Sequence, residues 1–547
     1  MDSLINRIKD EPVIILDGFS GVFFEQIRES FLTVTGFDSR HQHSWIRMAD
    51  YLRDENEILG LTEASLGGDD PLFGKRSDSD INEFYRIPDL LNRLNELGNN
   101  PYILYGIGAA SVINKGCIVY FDLPKNELQY RSRAGSVTNL GIQEPGDPGK
   151  MYKRYYFIDW PVLNRHKMNI AGRVDYLVDS QRPFDMTWMT GSSFRESLVK
   201  MSRGVLRARP WFEPGAWGGK WIMRNIYGLS QDVPNYAWSF ELIAPENGLI
   251  LISSGLMLEF SFDFLMFLQP DRILGKSHDR FGTEFPIRFD YLDTIEGGNL
   301  SVQCHPLEGF IYEKFGEKFT QDEAYYILES EAGSGVYLGL RDGGKAGEFL
   351  SELEKSSYES TPVEVQNHVM FHESVKHDIF LIPAGTVHGS GRNNMVLEIS
   401  STPYIFTFKM YDWLRLDLNG KPRQLNIARA AENLNLSYTG ERILAEHIPS
   451  PRLISSGDNY SRWLIASHPA QFYNVERIRF HDRVSIKTEG RCLVLNLVEG
   501  FTVQVQTAVN IMEIHYAETF IIPAAAEDAI FINSTSSPAV VVFAYVR

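Results

Sequence analysis

Leu381-Ile-Pro-Ala-Gly-Thr-Val-His388-Gly389 is an apolar run, a Pro-Ala-Gly turn, and a histidine opening the next run. It reads as strand, tight turn, strand. Upstream, Asn299-Leu-Ser-Val-Gln-Cys-His305-Pro306 is another strand-like run, closed by proline. Side chains two apart on a strand share a face, so Gln303 and His305 can converge while Cys304 points the other way, into the core. Between these segments Asp322-Glu323-Ala-Tyr-Tyr-Ile-Leu328 starts a strand with a carboxylate at its head. One amide oxygen, one carboxylate and two imidazoles make a mixed nitrogen and oxygen donor set. It suits Zn²⁺ with an open water position, and Mn²⁺, Co²⁺ or Fe²⁺ fit as well. Each segment alone also has an ordinary reading, as a satisfied core pair or a turn between barrel strands.

Outward from this region the chain changes texture twice. From about Pro210 it is rich in short β-branched and aromatic runs broken by Gly, Pro and Asn, such as Gly248 to Gly255, Ile379 to Pro383 and Met395 to Ile399. That pattern predicts an antiparallel sandwich or barrel. A helical stretch, about Glu348 to Glu373, interrupts it, and Pro422 to Asn435 reads as helix. A second β-rich block runs from about Phe472 to Arg547. Before Pro210, apolar runs at Pro12 to Asp17, Tyr102 to Tyr105 and Cys117 to Asp122 alternate with helical stretches such as Val22 to Leu32. This order predicts a parallel sheet wrapped by helices. The expected domains are residues 1–204, 205–440 and 441–547.

Composition narrows the function classes. The 547 residues carry 53 Lys plus Arg against 70 Asp plus Glu, a formal net charge of −17. That balance offers no overall basic footprint for bulk nucleic acid. Cys117, Cys304 and Cys492 are isolated, which excludes a disulfide framework and suits a reducing compartment. The N-terminus has no secretory pattern, and the apolar stretch Gly248 to Leu268 carries Glu259 and Asp263, so no bilayer span is expected. The expectation is an acidic cytoplasmic protein that engages neither membrane nor nucleic acid, with its oligomeric state open. His41 and His43, flanking Gln42, read as solvated loop residues.

The order and wording of the three segments resemble type I phosphomannose isomerase, a metalloenzyme of the cupin superfamily. Pro214-Gly-Ala-Trp-Gly-Gly219, Tyr236-Ala-Trp238 with Glu241, Tyr411-Asp-Trp-Leu-Arg415 and Gly420-Lys-Pro-Arg423-Gln-Leu425 extend the resemblance over about Pro210 to Ala430. The C-terminal block is similar to the second cupin of the short bacterial form. The resemblance implies two β jelly-roll barrels, with one cation per chain, Zn²⁺ foremost, on Gln303, His305, Glu323 and His388. It implies interconversion of mannose 6-phosphate and fructose 6-phosphate through an enediol, a small-molecule sugar phosphate being the partner. Arg415 would reach into the sugar pocket to stabilise charge or hold phosphate, since a guanidinium cannot serve as base. Glu398 is the candidate base, set against a plain hydrogen-bonded carboxylate inside the barrel. Asp290 stands where the family has a lysine, with Lys409 or Arg288 nearby to compensate. That departure supports an alternative, a non-catalytic regulatory cupin that binds metal and sugar. The C-terminal block has neither a Gln-x-His nor a Pro-Ala-Gly-x-x-His, having Pro523-Ala-Ala-Ala instead, and is expected to hold no metal.

The first domain resembles P-loop nucleoside and nucleotide kinases in its strand, Gly-x-x-Gly loop and helix at Asp17 to Leu32. It also resembles them in the passage from Asp122 through Lys125 to the Arg131-Ser-Arg133 helix. A working phosphate loop needs a lysine and a following hydroxyl, and Gly18-Phe-Ser-Gly-Val-Phe-Phe24 has neither. The expectation is a catalytically silent kinase-like domain; an active small-molecule kinase would need ATP hydrolysis dependent on Asp17.

Overall fold

The computed structural model describes residues 1–34, 44–68, 70–343, 345–403 and 406–547. His41 to His43 lie outside the described residues. The described chain divides into two units. The first comprises Met1–Ser202, Ala244–Pro270 and Lys314–Gly316; the second comprises the rest.

The near-continuous apolar run Val13–Gly18 (β1) is what a strand buried on both faces requires. It lies inside a six-stranded sheet with Ser44–Arg47 (β2), Tyr102–Tyr105 (β3), Cys117–Asp122 (β4), Tyr176–Asp179 (β5) and Thr187–Thr190 (β6). The order is β2-β3-β1-β4-β5-β6, the first five parallel and β6 antiparallel to β5. Leu4, Ile5 and Ile8 of one helix and Ile27 and Phe31 of the helix Phe24–Thr33 pack on one face. Gly18 closes β1 where its backbone passes close to β4: a Cβ there would sit 2.6 Å from Phe121 O.

The run Gly248 to Gly255, expected as part of a sandwich, forms an isolated hairpin of Gly248–Ser253 and Leu256–Ser261 that groups with the first unit. Buried carboxylates hold it there. Asp179 accepts from Glu259 N (2.9 Å) and Asp122 from Ser261 N (2.6 Å). Phe260 and Phe264 pack edge-on against Phe194, so this aromatic alternation serves the α/β unit. Arg131, on the helix that follows Asp122 and Lys125, is buried and donates to the carbonyls of Gly21, Ser180 and Gln181.

The second unit contains two pairs of antiparallel sheets. In the first pair the strand order is Ile379–Ile382, Asp322–Ser330, Asn394–Ser401, Arg288–Asp293, Trp238–Leu242, Trp211–Glu213 in one sheet. The other runs Val369–Glu373, Gly335–Leu340, His388–Ser390, Val302–Cys304, Phe408–Tyr411. Tyr325, Ile327, Leu292 and Val396 of the first sheet share a core with Val336 and Leu338 of the second. The second pair, from Arg452 onward, shares another core that joins Ile478, Leu495 and Phe543 to Val505 and Phe531.

The jelly-roll expectation needs a correction: these are open face-to-face sandwiches, and the sheets do not close into barrels among the described residues. In the first sandwich the edge strands are only three to five residues long, too short to carry the ladder round a corner. The helical insertion is also shorter than expected. The helix is Ala346–Glu359, and Val369–Glu373 is already an edge strand. The expected helix at Pro422 to Asn435 reduces to Ile427–Asn433. No described helix is long and apolar enough to cross a membrane.

Candidate metal centre

Three short strands lie side by side at the mouth of the first sandwich. Gln303 pairs with His388 on one side and with Lys409 on the other. Directly opposed residues share a face, so these three side chains form a row. His305 follows one turn of the pleat later. From the facing sheet comes Glu323, whose strand neighbours place Tyr325 opposite Glu398 and Glu398 opposite Asp290.

Gln303, His305, Glu323 and His388 therefore come together. His305 Nε2 lies 2.9 Å from Glu323 Oε1 and His388 Nε2 lies 3.3 Å from Oε2, all three residues being buried. Each imidazole gives its other nitrogen to a backbone carbonyl: His305 Nδ1 to Phe406 O (3.0 Å) and His388 Nδ1 to Thr386 O (2.9 Å). That orients both Nε2 atoms toward the carboxylate, the usual second contact of a metal-ligating histidine. Despite the short distances, neither His305 Nε2 nor Glu323 Oε2 has a well-directed hydrogen bond among the described residues. Atoms that converge on a common point without aiming at one another fit a cation. The Gln303 amide has its nitrogen 3.3 Å from His388 Nε2 and its oxygen on Ser301; a half turn presents the oxygen.

The Pro383-Ala-Gly385 turn builds this geometry. Gly385, at φ 82°, donates to His305 O (3.0 Å), and Thr386 N closes the turn on Pro383 O. Asp322 Oδ1 accepts from Ala384 N (2.8 Å), joining the turn to the Glu323 strand. Burial, outweighing that bond, pushes Asp322 up to about 7. Cys304 is buried on the opposite face, as expected.

Electrostatics divide the carboxylates. Burial alone would raise Glu323, but the two imidazoles outweigh it and hold it well below the usual range. Burial depresses His305, yet Glu323 more than offsets this and His305 stands above its ordinary value; His388, dominated by burial, stands below. Burial, with Glu323 beside it, pushes Asp290 up to about 8. Burial, then Asp290 and Glu323, raises Glu398 well above its ordinary value. Without a cation, then, Asp290 is a neutral acid at pH 7.

Arg415 belongs to a neighbouring cationic group. It and Arg423 flank the buried Asp412, Arg423 Nη1 at 2.7 Å from Oδ2. Lys409 is pushed down to about 8 by burial and by the nearby Arg423 and Arg415, against the opposing pull of Asp412. Three cations around one carboxylate leave net positive charge. Arg415 Nε and Arg423 Nη1 make no well-directed hydrogen bond among the described residues, as suits an anion site. Trp413 and Leu414, at φ 57° and 53°, bend the chain into this position, and Trp413 Nε1 is pinned to Leu300 O (2.8 Å). Sequence reasoning gave Asp412 and Arg423 no role; the signal was their spacing to Arg415 in two adjacent motifs. Arg288, the other expected compensator, donates to Pro403 O and is buried.

The chain is 23% identical over 300 residues to mannose-6-phosphate isomerase ManA of Bacillus subtilis, covering 55% of this chain and 87% of the relative. It is 25% identical over 222 residues to a mannose-6-phosphate isomerase of Streptococcus mutans, covering 40% of this chain and 64% of the relative. Its relatives are mannose-6-phosphate isomerases. The crystal structure of the Bacillus subtilis mannose 6-phosphate isomerase superposes with TM-score 0.50 at 17% identity, over 62% of this chain and 99% of that one. That likeness concerns the fold. Residues 1–203 match a family described as a domain of unknown function, DUF8485.

Proposed function

We propose that residues 205–440 form a metal-dependent aldose–ketose isomerase interconverting mannose 6-phosphate and fructose 6-phosphate. The observation that carries this reading is the buried Glu323 between two imidazoles whose outer nitrogens are tied to carbonyls. Gln303, His305, Glu323 and His388 would hold one divalent cation, Zn²⁺ foremost. Bound there, the cation supplies Lewis-acid stabilisation of charge on neighbouring sugar oxygens.

The chain's own residues do the rest. Lys409, Arg415 and Arg423 hold the phosphate ester and so fix the sugar relative to the donor set. Isomerisation removes a proton from C2 and returns one to C1 through an enediol. Glu398, buried beside Glu323, is the proton carrier of this reading. A divalent charge nearby would draw its affinity for protons down, toward the ionised form a base requires. Before a cation binds, Asp290 is neutral at pH 7 and does not repel a phosphate dianion as an ionised carboxylate would.

The second reading, a regulatory protein that binds metal and sugar without turnover, rests on Asp290, an acid in place of a cation. The first unit is proposed as a kinase-like fold without a phosphate loop. The test is conversion of mannose 6-phosphate to fructose 6-phosphate before and after chelation and Zn²⁺ restoration, with His305→Ala as control. Metal-dependent turnover lost in the variant supports the isomerase; metal and sugar-phosphate binding without turnover favours the regulatory reading.

A further inference from the structure

A second cluster of metal-binding side chains lies in the second unit, made of residues outside the Gln303 set. Glu446 and His447 end the helix Gly440–Glu446, and His468 follows the strand Tyr460–Ser467. One donor atom from each lies within 4.8 Å of the others. His468 Nε2 is 4.0 Å from Glu446 Oε2, and the two imidazole centroids are 5.3 Å apart. Both histidines are buried, at 0% and 4% exposure, whereas Glu446 reaches solvent and gives an ion a way in. Among the described residues, both ring nitrogens of His447 and Nε2 of His468 have no hydrogen-bond partner. Buried imidazole nitrogens are ordinarily paired, and one ion bound by a nitrogen of each ring would satisfy two of these three.

We infer that Glu446, His447 and His468 form a second site for a divalent transition-metal ion of the zinc class. Two imidazoles and one carboxylate, with positions left for water, are a donor set this class favours. The helix end is anchored: His447 O accepts from Leu381 N at 2.8 Å. Tyr438 packs edge-on to His447, with ring centroids 4.5 Å apart. His468 Nδ1 takes the Ala470 N–H at 3.2 Å, which turns Nε2 toward the other two residues. Metal binding moves the Nε2 proton of neutral His468 to Nδ1 or releases it, at the expense of that long contact. Arg442 competes for the carboxylate through Glu446 Oε2 (3.0 Å), the oxygen that also lies toward His468. The C-terminal block was expected to hold no metal because it lacks the two cupin motifs; this set uses neither.

Co²⁺ alone is the probe. The full-length chain, stripped with chelator, is loaded with Co²⁺ and dialysed, and cobalt per chain and the visible spectrum are read. With His305→Ala and His388→Ala removing the first cluster, we expect one Co²⁺ per chain with visible d–d bands. Addition of His468→Ala should abolish both. Absence of cobalt from the double variant, or cobalt indifferent to His468→Ala and Glu446→Gln, overturns the site and leaves a water between the imidazoles as the occupant. Should the double variant not fold, His468→Gln in the otherwise native chain must lower the stoichiometry by one Co²⁺. An unchanged stoichiometry there also overturns it. Because the readout assigns each ion to its own histidines, failure of this site and failure of the isomerase reading are separate results.

Discussion

Glu323 Oε1 lies 2.9 Å from His305 Nε2 with both residues buried, and each shifts the other's proton affinity. Burial would lower His305 and raise Glu323, yet their mutual attraction wins: the imidazole stands above its ordinary value and the carboxylate below. A cation competing for Nε2 must displace that imidazole proton. Metal loading of the stripped protein near neutral pH should therefore release protons, and affinity should weaken as pH falls. Calorimetry in two buffers of different ionisation enthalpy measures this directly. Identical apparent enthalpies would show that no proton moves. His305→Ala should reduce the pH dependence and cost about a hundredfold in affinity.

The cations around Asp412 make a separable prediction. Arg423→Met removes a charged donor from the anion site, and a hydrogen bond to a charged group contributes about 1.5–3 kcal/mol. KM for the phosphorylated sugar should rise about 10- to 100-fold, with a smaller change in kcat. Inhibition by inorganic phosphate should weaken in parallel. If KM stays put while kcat falls, Arg423 is not the phosphate anchor.

Lys409 adds a pH signature to the same site. Burial and its cationic neighbours push it down to about 8, so it is charged below that pH and neutral above. Phosphate affinity should fall as pH rises through about 8, beyond any effect of phosphate's own ionisation. Lys409→Met should bind more weakly at pH 7 and lose this decline. Titration of inorganic phosphate binding from pH 6.5 to 9.5 in both proteins decides it.

How much of this was legible in the sequence depends on whether the deciding contact is local. Gln303 and His305 share a face because a strand alternates, and the Pro383-Ala-Gly385 turn is written in its residues, so these candidates were legible locally, whereas the full set with Glu323 and His388 came from the family resemblance. Lys409 beside Gln303 is a cross-strand register, and Asp412 between two arginines depends on a left-handed bend at Trp413 and Leu414. Neither follows from periodicity. The hairpin Gly248 to Ser261 has strand-forming residues, as read, but what carries it to the α/β unit are the distant carboxylates of Asp122 and Asp179. Barrel closure failed for a similar reason: strand type is local, whereas closure depends on how far edge strands extend.

The turn itself is testable. Gly385 sits at φ 82°, and a Cβ there would lie 2.8 Å from Asn433 O and 2.9 Å from a Leu307 methyl. Gly385→Ala combines left-handed strain with a steric clash, for a loss of about 1–3 kcal/mol. Because Gly385 N also holds His305 O, metal affinity should fall along with the melting temperature. A variant that melts lower but binds metal as tightly would separate the turn from the site.

In the first unit, Asp17 sits where a kinase-like sheet would present its phosphate loop, but its carboxylate is fully engaged. It accepts from Gly18 N (2.6 Å), Gly108 N (3.0 Å) and Ala110 N (2.8 Å), and its Oδ2 lies 2.7 Å from His166 Nε2. A carboxylate so occupied clamps the ends of β1 and β3 together and has no oxygen left for a nucleotide-bound ion. Asp17→Ala leaves these buried donors unpaired, a loss of about 3–5 kcal/mol. Calorimetry should show a lower unfolding temperature, and neither native protein nor variant should hydrolyse ATP above the buffer rate. ATP turnover in the native chain that disappears with Asp17→Asn would instead make this unit a kinase and Asp17 one of its working residues.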